Sequence, residues 1–118
     1  MADADLAEPS RDEINRLIGP LVLEFGASWC PHCRQLESRM PALLARFPGI
    51  PHRKIEDAAG RPLGRSFRVK LWPTLVFLLD GVERARAVRP GDDEVAEGLA
   101  AIAQRRMGPP LFGQDSIS

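Results

Sequence analysis

The chain has 118 residues, which predicts a single domain, and its 16 basic and 16 acidic side chains give a formal net charge of zero. That balance argues against nucleic acid or an anionic membrane surface as a partner. No apolar run approaches the roughly 18 residues of a membrane-spanning helix, and the acidic N-terminus does not resemble a secretory signal. We therefore expect a cytoplasmic protein whose thiols are kept reduced.

The first predicted element is a short helix that follows a flexible arm at residues 1–9. Ser10 and Glu13 match a capping box, in which each side chain accepts a hydrogen bond from the other residue's backbone N–H. The helix therefore begins after Ser10, and Gly19-Pro20 ends it. Its predicted apolar face consists of Ile14, Leu17 and Ile18.

A buried strand and a longer helix follow. Residues 21–27 are apolar almost without alternation, as in a strand that is covered on both faces. Glu24 interrupts that run, so its carboxylate must lie at an end, have a partner or serve a function. Apolar residues then recur at helical spacing, and Pro41 predicts a kink or a break into two helices. The predicted buried face is Cys33, Leu36, Met40, Leu43, Leu44 and Phe47.

The next elements are a weak strand, a short helix and a hairpin. Residues 52–57 weakly favour a strand, and residues 60–69 a helix that buries Leu63 and Phe67. The apolar run at 75–79, the turn at Asp80-Gly81 and the alternating residues 82–88 predict a hairpin with an edge strand.

A last helix completes the pattern. Asp92 or Asp93 is expected to cap it, and Gly108 with the two following prolines ends it. Strands that alternate with helices predict parallel pairing, and the hairpin adds an antiparallel edge, so the fold class is α/β. The expected buried face of the last helix is Val95, Leu99, Ile102 and Ala103, with Arg105 and Arg106 in its last turn.

The chain's two cysteines, Cys30 and Cys33, lie at the junction between the first strand and the long helix. A Cys-x-x-Cys pair at such a junction is typical of dithiol–disulfide chemistry. The helix start has free backbone N–H groups that favour a thiolate at Cys30. Cys33 lies one turn further, close enough to resolve a mixed disulfide.

Other uses of two cysteines fit less well. A zinc site needs four ligands, and outside the motif only His52 is available. A c-type haem needs histidine directly after the second cysteine, where Arg34 stands. A purely structural disulfide across so small a loop would stabilise little. We expect no metal and no cofactor beyond the redox-active disulfide Cys30–Cys33.

Over about residues 10–107 the chain resembles the thioredoxin superfamily. The motif Trp-Cys-Pro-His-Cys at residues 29–33 follows the first central strand, and Lys54 lies in the next. Trp-Pro-Thr at residues 72–74 occupies the place of the family's Ile-Pro-Thr, whose proline is cis and faces the disulfide. The resemblance implies a mixed sheet of four or five strands flanked by about four helices. Residues 108–118, which begin with Gly108 and two prolines, are predicted to be a mobile tail.

The resemblance also implies roles at the thiols. Cys30 is the exposed nucleophile and Cys33 the more buried resolving thiol, while Pro31 and His32 tune them, His32 by stabilising the Cys30 thiolate. Glu24 is a candidate proton acceptor for Cys33, directly or through water. Lys54 is expected to pair with Glu24, with the alternative that both reach solvent, and His52 is expected on the surface.

The remaining implied roles concern substrate binding. Trp29 and Trp72 are expected to flank the sulfurs, with core packing as the alternative for Trp72. Pro73 leaves the preceding backbone free to pair with an extended substrate strand. The predicted substrate surface is completed by Thr74, Val88 and Arg89.

Several positions depart from the family pattern. Pro31-His32 replaces the usual Gly-Pro and resembles the oxidising periplasmic enzymes. Glu24 stands for the buried aspartate, Gly26 for an aromatic residue, and Arg89 near the glycine of the substrate loop. The family's first strand would fall in residues 1–9, where the pattern is poor.

Three functions fit this sequence. The first is a monomeric cytoplasmic enzyme that reduces protein disulfides and is recharged by a flavoenzyme of the thioredoxin-reductase type. The second runs the other way, as a disulfide oxidant or isomerase. The third is a module that binds a partner through the surface around Trp29 and Trp72, with redox activity secondary.

Overall fold

The computed structural model describes residues 8–58 and 61–103. Within these residues the chain forms four helices and four strands, and none of the helices is long and apolar enough to cross a membrane. In chain order they are α1 (Arg11–Asn15), β1 (Pro20–Gly26), α2 (Pro31–Ala45), β2 (His52–Glu56), α3 (Pro62–Ser66), β3 (Thr74–Leu79), β4 (Val82–Val88) and α4 (Asp92–Ile102).

The four strands form one mixed sheet in the order β2-β1-β3-β4. Strand β1 pairs parallel with β2 and antiparallel with β3, and β4 returns antiparallel beside β3. Asp80 and Gly81 connect β3 to β4 with φ of 52° and 78°, as a two-residue hairpin turn requires. The predicted α/β fold is confirmed. The predicted fifth strand falls largely on residues 1–7, outside the described part.

Helices cover both faces of the sheet. Side chains of β1 and β3 that point to one face pack against α2 and α4, and those of the other face pack against α1 and α3. Strand β1 is buried from Val22 to Gly26, as its unbroken apolar run predicted. The centre of the first layer is Val22, Leu36, Met40, Phe77 and Leu99, and the centre of the second is Ile14, Leu23, Phe25, Leu63 and Phe67.

The first helix is shorter than predicted. Ser10 accepts from the Glu13 N–H at 3.0 Å and Glu13 accepts from the Ser10 N–H at 2.8 Å, so the capping box is confirmed. The helix ends at Asn15, however, and Leu17 and Ile18 are 42% and 88% exposed. Placing these two on the buried face was wrong, because the helix ends before it reaches them.

Helix α2 runs through Pro41 without a break. The predicted division into two helices is therefore wrong. Pro41 is exposed, while Leu36, Met40 and Leu43 on either side of it are buried against the sheet. Their packing holds the helix together across the position where proline removes one backbone hydrogen bond.

The last helix is capped by a different residue from the two expected. Gly91 is the N-cap, and its N–H donates to the Glu94 carboxylate at 2.8 Å. Asp92 already lies in the first turn and pairs with Arg39 of α2 at 2.6 Å. Val95, Leu99 and Ile102 are buried as expected, but Ala103 is exposed because the helix has ended. Arg105 and Arg106 lie outside the described residues.

Candidate active site

Strand β1 ends directly before the two thiols. The chain leaves the sheet at Gly26, and Cys30 is the N-cap of α2, with Pro31 in the first turn. Proline is tolerated there because that N–H has no partner within the helix. The sulfur of Cys30 takes the place of a capping oxygen and accepts a hydrogen bond from the Cys33 N–H, with N and Sγ 3.4 Å apart. Both cysteines are free thiols.

The Cys30 thiol is acidified by its position. Burial alone raises its pKa, but the hydrogen bond from the Cys33 side chain and those from the backbone N–H groups of Cys33 and His32 act in the opposite direction. The positive charge of Arg89 adds to them, and the pKa of Cys30 is held below its ordinary value. The residue is nevertheless only 6% exposed, which corrects the prediction of an exposed nucleophile.

The Cys33 thiol has the opposite character. It is 2% exposed, and burial, its hydrogen bond to Cys30 and the negative charges of Cys30 and Glu24 raise its pKa to about 11, against a lowering by the Ala27 backbone. Its close neighbour is Gly26, where a Cβ atom would lie 2.6 Å from the Cys33 sulfur. Glycine in place of an aromatic residue thus leaves room for the resolving thiol.

His32 acts on Cys30 through its backbone. Its N–H contributes to the lowered pKa of Cys30, whereas its imidazole is exposed and makes no hydrogen bond or ion pair with residues 8–58 or 61–103. No hydrogen bond or ion pair within the described residues therefore supports the prediction that the imidazole itself stabilises the Cys30 thiolate. The helix start supplies the positive field instead.

Two tryptophans lie beside the thiols, as expected. Trp29 is 63% exposed and meets Trp72 edge to face, with ring centroids 5.5 Å apart. Trp72 is partly buried against the two cysteines, and its indole N–H donates to the Asp57 carboxylate at 2.9 Å. The peptide bond between Trp72 and Pro73 is cis. Trp72 thus combines the two roles weighed for it, packing and flanking the sulfurs.

Arg89 stabilises the loop that contains Pro73 through two hydrogen bonds. Its backbone N–H donates to the Pro73 carbonyl at 2.9 Å and its side-chain Nε to the Trp72 carbonyl at 2.8 Å. Its φ of 49° lies in the left-handed region that favours glycine, which accounts for the glycine of the family at this place. The Trp72 carbonyl, expected to be free for a substrate strand, already accepts one hydrogen bond.

The other two predicted substrate residues differ in access. Val88 is 45% exposed and lies opposite Thr74 in the hairpin ladder. Thr74 is 1% exposed, and its hydroxyl donates to the Leu71 carbonyl at 2.6 Å. Thr74 therefore shapes the loop, while Val88 is available for contact.

The partner of Glu24 differs from the one that was predicted. Glu24 is 3% exposed, and its Oε1 lies 2.7 Å from Nε2 of His52. Lys54, directly opposite Glu24 in the parallel ladder, extends instead to Glu37 of α2, with its Nζ 2.5 Å from Oε2. The expected Lys54–Glu24 pair is therefore absent, and His52 is not a surface residue but the partner of the buried carboxylate.

Glu24 and Cys33 border the same internal space. A cavity of about 160 Å³ separates β1, β2 and the first turns of α2. Water occupies about 30 Å³ per molecule in the liquid, so the cavity has room for several waters between the carboxylate and the thiol. It is lined by Glu24, Gly26, Ala27, Ser28, Cys33, Glu37, Lys54, Ile55 and Glu56.

Sequence reasoning missed two residues of this site, His52 and Asp57. Asp57 follows β2, is 7% exposed, and leaves its Oδ1 without a hydrogen-bond partner in the described part of the chain. Its signal was a carboxylate directly after a strand that ends beside the cysteines. The described residues contain no cluster of three or more ligands for a metal ion.

Comparison with known proteins agrees with this geometry. The family model for thioredoxin matches residues 7–101. Thioredoxin 2 of Pseudomonas aeruginosa PAO1, solved in its reduced form, is similar in structure with a TM-score of 0.73. It is 47% identical in sequence, over 81% of this chain and 90% of that one.

Two curated proteins show the range of the relatives. Thioredoxin H5 of Arabidopsis thaliana is 32% identical over 79 residues, which are 67% of this chain and 67% of that protein. Protein disulfide-isomerase A2 of Mus musculus is 36% identical over 93 residues, which are 75% of this chain but 18% of the isomerase. The chain thus spans less than a fifth of the isomerase that it matches.

Proposed function

This chain belongs to the thioredoxin family of thiol–disulfide oxidoreductases, and we propose that within that family it reduces protein disulfides by dithiol exchange. The observation that carries the proposal is the difference in acidity between the two thiols. The pKa of Cys30 is lowered while that of Cys33 is raised to about 11. Cys30 is therefore the thiol that ionises more readily and attacks, and Cys33 keeps its proton until a mixed disulfide has formed.

The exchange has two steps. The Cys30 thiolate attacks one sulfur of the substrate disulfide, the substrate S–S bond breaks, and the released substrate thiolate takes up a proton. Cys33 then loses its proton and attacks Cys30, which releases the second substrate thiol and forms the Cys30–Cys33 disulfide. Two electrons pass from the protein dithiol to the substrate disulfide.

Glu24 is the proposed acceptor of the Cys33 proton. A carboxylate is the right chemical group for this step, and the shared cavity supplies a water path between them. Because Cys33 is 2% exposed, its proton has little direct access to bulk solvent. A base that borders the same cavity receives this proton in the second step, when Cys33 attacks Cys30.

Substrates of this proposed reductase dock on an exposed apolar surface. This surface consists of exposed side chains on three segments that lead to the thiols. They are Trp29, Leu71 and Val88, whose exposed fractions are 63%, 50% and 45%. An extended substrate segment fits beside the Pro73 loop, where the Trp72 carbonyl keeps its second lone pair for a further N–H donor. We propose protein disulfides as substrates, a flavoenzyme of the thioredoxin-reductase type as electron donor, and action as a cytoplasmic monomer in cell redox homeostasis.

The reverse direction is a second candidate, because an acidic Cys30 also favours an oxidant or isomerase. Stabilising the thiolate stabilises the reduced protein and so raises its potential, and Arg89 adds a positive charge near Cys30 that a glycine cannot supply. The similarity to a domain of a disulfide isomerase points the same way. A partner-binding module with secondary redox activity is the third candidate.

Insulin reduction by dithiothreitol tests the proposal. We expect the wild-type chain to accelerate the reaction and Cys30→Ser to abolish that acceleration. A wild-type chain without effect would reject both enzymatic candidates. Equilibration with glutathione then gives the reduction potential of the Cys30–Cys33 disulfide, which decides the direction of exchange. A potential of about −270 mV supports the reductant, and one of about −120 mV supports the oxidant.

A further inference from the structure

The buried pair Glu24 and His52 connects the resolving thiol with the outside of the molecule. The Glu24 side chain is 2% exposed and that of His52 20%, and the two meet at 2.7 Å. On one side of the pair lies the cavity that Cys33 shares. The His52 side chain itself is partly exposed, and residue 52 also lines an open groove between α1 and β2. The pair therefore joins the cavity to solvent.

Other charged and titratable groups surround this pair. Lys54 projects from the same strand and the same face as His52, but it is held by Glu37 of α2. The other charged or titratable groups that line the cavity and the groove are Cys33, Glu56, Glu8, Glu13, Arg16 and Arg53.

An imidazole partner differs chemically from an ammonium partner. A lysine ammonium stays charged at neutral pH, whereas an imidazole exchanges its proton between about pH 5 and 8. An imidazole can also accept a proton on one ring nitrogen and release another from its second nitrogen. A lysine at this place would hold the carboxylate, but it would not release a proton when the carboxylate takes one up.

We propose that His52 is a positioning residue for the second step of the exchange: it fixes the Glu24 carboxylate beside the cavity, and it releases a proton to solvent when Glu24 takes one from Cys33. This inference rests on the proposed function. The S–H bond of Cys33 breaks, and its proton passes through cavity water to the Glu24 oxygen that does not face His52. The Nε2–H of His52 keeps its hydrogen bond to Oε1, and the imidazolium, no longer held by the negative charge of the carboxylate, releases its Nδ1 proton to solvent. The Cys33 electron pair forms the bond to Cys30, and the substrate sulfur leaves with the pair of the broken bond.

A symmetrical nitroaromatic disulfide separates the two steps, because each attack releases one coloured thiolate. The first release reports the attack by Cys30, and the second reports resolution by Cys33. The reaction is followed by stopped flow across about pH 5 to 9, with the full chain, His52→Gln and the control Arg84→Gln. Glutamine keeps an N–H donor for the carboxylate but does not titrate, and Arg84 is exposed on β4, away from the cavity.

The expected result is specific to the second release. In His52→Gln it should be slowed about tenfold near pH 7, a fraction of the effect typical for an acid or base itself, and its pH profile should differ from that of the wild type. The first release should be unchanged, and Arg84→Gln should match the wild type in both. Superimposable pH profiles of the second release in wild type and His52→Gln would overturn the inference.

A second measurement needs no turnover. NMR of the His52 imidazole at one fixed pH should show different ring-nitrogen chemical shifts in Glu24→Gln, because the carboxylate that lies 2.7 Å from Nε2 is gone. Unchanged shifts would overturn the pairing, even if His52→Gln failed to fold. A wild-type chain that releases neither thiolate would reject the proposed function itself, which distinguishes the two failures.

Discussion

The sulfur of Cys33 lies 2.6 Å from the position that a Cβ atom on Gly26 would occupy. Real Cβ atoms do not come so close to a sulfur, so any other residue at position 26 must displace the resolving thiol. This contact accounts for the glycine at the end of β1, where the family usually has a larger residue. It also ties the last residue of a strand to the second step of the reaction.

Gly26→Ala should therefore slow resolution more than attack. The mixed disulfide between Cys30 and substrate should accumulate, since Cys30 is not the atom displaced. Mass spectrometry of the quenched reaction measures the adduct. Gly91→Ala is the matched control, because no atom lies within 4 Å of a Cβ at Gly91. Equal adduct levels in the two variants would contradict the steric explanation.

Trp72→Phe should destabilise the fold. It removes the donor that pairs with the buried Asp57, whose other carboxylate oxygen has no partner in the described residues. An unsatisfied buried group costs about 1–3 kcal/mol, and that is the expected loss in the free energy of unfolding. Urea denaturation measures it. Trp29→Phe changes the same residue type at a 63% exposed position and should cost far less; similar losses would argue against the role of Asp57.

The effect of His32 should come from its backbone. His32→Pro removes the N–H that helps to lower the pKa of Cys30, so that pKa should rise. His32→Gln keeps the N–H and removes only the imidazole, so the pKa of Cys30 should stay where it is. Thiolate absorbance against pH measures both variants. If the pKa of Cys30 rose as much in His32→Gln as in His32→Pro, the imidazole and not the backbone N–H would be responsible for the effect.

Arg89 should tune Cys30 by charge. Arg89→Gly removes the cation whose field lowers the pKa of Cys30, so that pKa should rise and the reduction potential should become more negative. Glycine also suits the positive φ at this position. Arg89→Lys keeps the charge and is the control. If the glycine and lysine variants had the same potential, the backbone conformation rather than the charge would matter at this position.

The sequence was sufficient for the fold and the two thiols because their signals are local. A strand without alternation, a helix start at Cys30 and a two-residue hairpin turn each follow from a few neighbouring residues. The end of α1 was misplaced because two exposed apolar residues happened to continue its spacing. The capping of α4 by Gly91 was missed because Glu94, not an aspartate, completes the motif.

The partners of the buried charged residues could not be predicted from the sequence, for a different reason. The strand register places Lys54 opposite Glu24, and from that alone the two would pair. The lysine instead turns to Glu37, a residue of α2 whose distance depends on how the helix lies across the sheet. Asp57 is likewise buried where α3 brings Gly64 against it, and a Cβ atom on Gly64 would lie 1.8 Å from Oδ1. Such pairings depend on tertiary packing, which no short pattern contains.

The central claim is that Cys30 is the acidic thiol and that Cys33 keeps its proton until it is needed. Thiolate absorbance against pH, recorded for the reduced chain, Cys30→Ser and Cys33→Ser, tests it directly. Serine at position 33 still donates a hydrogen bond to Cys30, so one thiolate should form below the ordinary cysteine pKa in the reduced chain and in Cys33→Ser. Cys30→Ser should lack that transition, because the pKa of Cys33 is raised to about 11 by burial and by its hydrogen bond to residue 30. A low transition that persists in Cys30→Ser and vanishes in Cys33→Ser would contradict the account.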